Sequence, residues 1–146
     1  MKRRVEQLIE LSLFEWQMML VAMLLLPVVA LSLRIVEYNK TKNILGRFIS
    51  DESGQKKPET PEIERACVIA RMVDVASGHG PYRANCLKQS MVLWWMLAWH
   101  GISSEIIFGV PKEKKDSFGA HAWVKCCGIN MSDTEKIQQR FLAFGN

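Results

Sequence analysis

Chemistry in this chain starts at Cys86, which follows Asn85 and opens a helix running through the apolar Met91, Val92, Trp95 and Trp99. Asparagine is a good helix N-cap, so the sulfur is expected at the first helical position. There the first N–H groups lack intrahelical acceptors and the dipole end is positive. Both favour an anionic sulfur, and the same N–H groups can hold the oxyanion of a tetrahedral intermediate. That is the chemistry of a thiolate attacking an acyl carbon. A cysteine taken alone is more commonly a small buried hydrophobe, so the reading depends on a base.

His121 supplies the candidate base. It lies in Ala120-His121-Ala122-Trp123-Val124, read as the start of a strand, and the flanking alanines leave room for a neighbouring side chain. Such an imidazole can take the thiol proton and later protonate a departing amine. Asp133 is the candidate that orients it, and its place depends on hairpin register. With a three-residue loop of Cys126, Cys127 and Gly128, Lys125 faces Ile129, Trp123 faces Met131 and His121 falls opposite Asp133 on one sheet face. Gly128 suits the left-handed third position of that bulged loop, so this register is the expectation. A two-residue loop of Cys127 and Gly128 pairs His121 with Thr134 instead and turns Asp133 to the other face.

Three further residues are candidates for substrate contact. Trp123 shares a strand face with His121 and either shapes a peptide groove or packs. His79, expected in the loop before Cys86, either borders the cleft or is simply solvated. Gln89, with Ser90, lies one turn into the helix and either gives a polar contact near the thiol or is explained by exposure or packing. Trp94, Trp95 and Trp99 read as packing surface. Cys126 and Cys127 are vicinal and no metal-ligand spacing occurs, so no metal is expected, and thiol chemistry of this kind requires no organic cofactor.

The elements that must position these groups fall into three parts. Residues 1–48 are hydrophobic and helical, 49–60 are a polar linker, and 61–146 have the pattern of a globular α+β unit. In the first part, Met18 to Leu33 carries no charge but contains Pro27. It reads as two helices broken near Pro27 and packed as a hairpin. Peripheral membrane contact and a true span are the competing readings. Thr60 and Pro61 start the next helix, whose inward stripe is Ile63, Ala66, Cys67, Ala70 and Val73, and Ser77 to Pro81 stop it. The helix opened by Cys86 is apolar almost all round, which places it centrally, and Gly101 ends it. Strands are expected over 105–110 and 120–125.

Composition narrows the class. The 146 residues suffice for one domain and an appendage, and 49% of them are apolar. A net charge of +4, spread among acids and without a recognition motif, does not point to nucleic acid. Four cysteines without a framework pattern fit a reducing cytoplasm, with membrane association through residues 1–48 left open.

The pieces Asn85-Cys86-Leu87-Lys88-Gln89-Ser90, Gly101-Ile102, Gly109-Val110 and Phe118-Gly119-Ala120-His121-Ala122-Trp123-Val124 resemble the lasso-peptide biosynthesis peptidases, in the transglutaminase-like group of cysteine enzymes. The resemblance covers roughly residues 63 to 134. It implies a papain/transglutaminase-like cysteine protease core behind an N-terminal hydrophobic helical hairpin. It also implies a triad of Cys86, His121 and Asp133 that cuts the leader from a lasso precursor peptide. The partners it implies are a separate leader-recognition protein and an ATP-dependent lasso cyclase. Family members often carry an acid where this chain has Lys125, and Asp-Gly where it has Cys127-Gly128. Acyl transfer to an amine on the same scaffold and a non-catalytic, membrane-associated binding subunit are the alternatives.

Overall fold

The computed structural model describes residues 12–46, 60–79, 84–111, 121–131 and 141–143. Helix α1 spans Leu13–Ile35 and α2 Tyr38–Gly46. Helix α3 spans Thr60–His79 and α4 Cys86–Trp99. Strands β1 (Ser104–Pro111), β2 (His121–Cys126), β3 (Ile129–Asn130) and β4 (Phe141–Ala143) follow. They form one antiparallel sheet in the order β3-β2-β1-β4. This is the expected mixture of helices and a small sheet.

Helix α1 differs from expectation because it does not break at Pro27. It runs unbroken for 23 residues, and the turn to α2 comes only at Val36. Proline lacks an N–H and crowds the preceding turn. Pro27 lies on the exposed side, whereas Leu26 and Val29 beside it are each 1% exposed in the core. Packing on the inner side keeps the helix whole, and a carbonyl freed on the outer side can tilt outward. A capping box fixes the start: Glu15 N–H donates to Ser12 Oγ, and Ser12 N–H donates to Glu15 Oε2. Glu15 also pairs with Arg71 of α3. Helix α2 is held by Tyr38 edge-on to Phe108 of β1 and by Lys42 over the Trp94 ring of α4.

A single apolar core joins Met18, Ala22, Leu26 and Val29 of α1, Ile69 and Val73 of α3, and Met91, Val92, Met96 and Leu97 of α4 to Ile106, Ala122, Val124 and Cys126 of the sheet. Helix α4 buries Met91, Val92, Leu93, Met96 and Leu97 centrally as expected, whereas Trp99 at its end is exposed. It ends in a Schellman motif: Ile102 N–H bonds to Leu97 O and Gly101 N–H to Ala98 O, with Gly101 at φ +73. In α3 the buried stripe is Ala66, Ile69, Ala70, Val73 and Ala76. Cys67, expected on that inward face, is exposed. It stands about 100° round the helix from Ala66, outside the wedge that α1 and α4 cover.

The hairpin takes the other register. Cys126 pairs with Ile129 and Lys125 with Asn130, which leaves a two-residue loop of Cys127 and Gly128. Both loop residues have positive φ, +57 and +79. Two positive φ angles define a type I′ turn, whose twist matches that of the strands it joins. The expected three-residue loop is thereby corrected to a two-residue one. Asp133 itself, and the linker 49–59, lie outside the described residues. Strand β4, which the sequence patterns did not signal, pairs Leu142 with Val110 on the far edge of β1.

Candidate active site

Asn85 caps α4 as the sequence implies. Its Oδ1 accepts the Lys88 N–H at 3.1 Å, and Gln89 N–H donates to Asn85 O at 3.1 Å. Cys86 is therefore the first helical residue, half-buried. The N–H groups of Cys86 and Leu87 have no acceptor within the helix. They point out of its positive end, beside the sulfur.

The route of the chain brings His121 to the same end of the fold. Helix α4 leads through Gly101 directly into β1, so Ser104, paired with Cys126, lies near the helix C-terminus. The opposite end of that pair of strands, Gly109 and His121, therefore lies towards the helix N-terminus and Cys86. A buried hydrogen bond fixes the alignment: Ser90 Oγ donates to Ala122 O at 3.0 Å. Ser90 lies one turn after Cys86 on the same helix face, and Ala122 immediately follows His121. The first turn of α4 is thus bolted to the first residues of β2.

Strand alternation sets the side-chain directions. Ala122, Val124 and Cys126 enter the core under α4, while His121, Trp123 and Lys125 take the other face. The His121 and Trp123 rings stack at 6.0 Å with 24° between their planes, so the expected shared face is found. Trp123 is buried, and its Nε1 donates to Asn130 Oδ1 at 3.2 Å across the hairpin. Burial pushes the His121 pKa below its ordinary 6.5. The neutral imidazole, the form able to accept a proton, is favoured by that burial.

The remaining candidates divide. Gln89 Nε2 donates to Asp74 Oδ1 at 3.1 Å, which ties α4 to α3 and occupies the amide. His79, expected in a loop, is the exposed last residue of α3, where a basic side chain suits the helix dipole. Ser90 was visible in sequence only as a polar group near the thiol. Its bond to the backbone of β2 could be suspected only from a small hydroxyl one turn beyond Cys86 in a helix otherwise buried and apolar. Cys126 and Cys127 hold their sulfurs 3.2 Å apart at the far end of β2. Burial first, then the hydrogen bond and charge of Cys127 and the charges of Cys67 and Glu62, push the Cys126 thiol up to about 12. It is a structural thiol. Among the described residues no group of three or more His, Cys, Asp or Glu is placed to hold a metal ion.

Cys86 at the start of α4 and His121 at the head of β2 therefore lie towards one end of the fold, with His121 leaving the strand on the face opposite Ala122, Val124 and Cys126. A family model described as the transglutaminase-like superfamily matches residues 28–144, taking in everything from the middle of α1 to β4. No curated protein and no solved structure matches the chain.

Proposed function

Because the chain belongs to the transglutaminase-like superfamily, whose members are commonly cysteine peptidases or transferases, we propose that it is a cysteine peptidase acting from Cys86 and His121. The observation that carries this reading is the Ser90–Ala122 hydrogen bond, which holds the helix start and the strand head at one end of the fold. Cys86 Sγ attacks the scissile carbonyl while His121 takes the thiol proton, and the Cys86 and Leu87 N–H groups receive the developing oxyanion. The amine leaves with the proton from His121, and a thioester remains on Cys86. Water, deprotonated by His121, then releases the acyl fragment as a carboxylic acid. Asp133 as orienter of the imidazole rests on the sequence resemblance alone.

The proposed substrate is a lasso precursor peptide, cut between leader and core. The new core N-terminus would then be the nucleophile for ring closure by an ATP-dependent cyclase, with a separate protein presenting the leader. The motifs around Cys86, Gly101, Gly109 and His121 support this assignment. The test is mass spectrometry of a leader–core lasso precursor incubated with the chain, with and without a leader-binding protein. A released leader with a free carboxyl terminus, absent for Cys86→Ala, is the expected result. An amine adduct without leader release would assign the centre to acyl transfer. Full processing by Cys86→Ala would overturn catalysis altogether.

A further inference from the structure

Helix α1 carries two apolar faces back to back, and among the described residues only one is covered. Met18, Met19, Ala22, Leu26 and Val29 are buried against α3 and α4. On the opposite side Leu13, Trp16, Leu20, Leu24, Val28, Leu31 and Ile35 are exposed, with Leu13 at 85%, Leu24 at 71% and Ile35 at 74%. At 100° per residue these seven fall within an arc of about 120°, and they run for about 33 Å along the axis. A helix apolar all round is ordinarily buried all round, and soluble monomers rarely expose a continuous apolar strip of this length.

The spacing says what shape covers it. The steps along the stripe are three, four, four, four, three and four residues, a mean of about 3.7, so the line stays straight on a straight helix. A coiled-coil seam repeats every 3.5 residues and winds around its partner. A second straight helix crossing at an angle would cover only a few turns. A flat apolar surface covers the whole line. Charge at one end names the surface: between residues 34 and 44, Arg34 and Lys40 are exposed, Lys42 lies over the Trp94 ring, and Glu37 is the single carboxylate. Arg34 also borders a recess of about 510 Å³ together with Leu31, Leu33 and Lys88 of α4.

We propose that the outer face of α1 lies in the surface of an anionic phospholipid bilayer, its axis in the membrane plane and the exposed cations Arg34 and Lys40 among the headgroups. The helix does not cross the bilayer in this arrangement, because its inner face belongs to the protein core. Its hydropathy and length would otherwise allow a span. Lipid contact of this kind combines apolar burial with attraction to anionic headgroups. It holds whether or not Cys86 is the nucleophile.

The test is flotation of the full chain with vesicles of phosphatidylglycerol and phosphatidylcholine, against phosphatidylcholine alone. The wild type is expected to float with the anionic vesicles and to be partly released by salt. The variant L20S/L24S/L31S, altered only at exposed positions, should lose at least about tenfold in vesicle partitioning with an unchanged circular dichroism spectrum. Quenching of wild-type tryptophan fluorescence by brominated acyl chains, expected from Trp16, gives a reading independent of any variant. Failure of the wild type to float, or flotation of the triple variant equal to it, overturns the proposal. So does a dimer in sedimentation velocity that the triple variant dissolves, which gives the face to a second copy. Retention of the chain in membranes after an alkaline carbonate wash would mean a span and also overturns it.

Discussion

Ser90→Ala is the most direct probe of how this fold positions its chemistry. The substitution removes one donor from a buried site, Ser90 Oγ to Ala122 O at 3.0 Å, and changes no other atom. A hydrogen bond of this kind contributes about 0.5–1.5 kcal/mol net, and leaving a buried carbonyl short of its donor costs about 1–3 kcal/mol. Unfolding in urea should therefore show a loss of about 1–2 kcal/mol, with the midpoint shifted and the slope unchanged. The consequence for catalysis is larger than that figure suggests. The bond sets the alignment of the helix that carries Cys86 against the strand that carries His121, and an error of about 1 Å in such a pair can cost about a hundredfold. We expect kcat to fall by about ten- to a hundredfold with KM nearly unchanged, and Ser90→Thr, which keeps the hydroxyl, to restore part of it. Stability and turnover are measured on the same preparation. If the stability loss appears while kcat holds within about twofold, Ser90 is only a structural bond and the alignment of helix and strand is set elsewhere.

Other predictions follow from the hairpin, the imidazole and the thiols. Gly128→Ala should destabilise by about 1 kcal/mol in thermal or denaturant unfolding, because its φ is +79 while the space around it is open, so the cost is backbone alone. Cys127→Asn at φ +57 should stabilise by a few tenths of a kcal/mol to about 1 kcal/mol, since asparagine tolerates that conformation in a type I′ turn. His121 has a folded-state pKa lowered by burial, so the acid limb of kcat/KM should lie below pH 6.5. The same shift means that the unfolded chain binds the proton more readily. Stability from this group is complete above its unfolded pKa of 6.5 and is lost as pH falls from there through the lower folded value. Urea midpoints between pH 8 and pH 5 check this, and His121→Gln should flatten the dependence. Alkylation by a maleimide at pH 7.5 should mark exposed Cys67 quickly and leave Cys126, buried with its thiol up at about 12, unmodified until the chain is unfolded. Equal labelling of the two would contradict the packing of β2.

Much of the site could be read without coordinates because the signals are local. An N-cap side chain lies three residues from the N–H it satisfies, so Asn85 alone predicts that Cys86 opens the helix. Two-residue alternation predicts that His121 and Trp123 share a face. Glycine after an apolar helix predicts the Gly101 stop. The hairpin shows where such signals end. Cys127-Gly128 is compatible with either a two- or a three-residue loop, and one residue of slip turns every later side chain to the other face. Local preference barely separates the two loops, so burial of Cys126 beside Val124 and Ala122 helps decide between them.

The sequence by itself determined the candidate reactive groups and the elements that carry them: a sulfur at a helix mouth, an imidazole at a strand head, and an N-terminal helix apolar enough to need covering. Only the tertiary structure decided how those elements are phased. It carried α1 intact past Pro27, turned Cys67 outward, chose a two-residue I′ turn over a three-residue loop, and joined Ser90 to Ala122. Capping and periodicity act within a turn or two of one segment. Phase and register are instead set by whichever arrangement buries the most apolar surface with its polar groups paired, and that quantity depends on segments far apart in the chain.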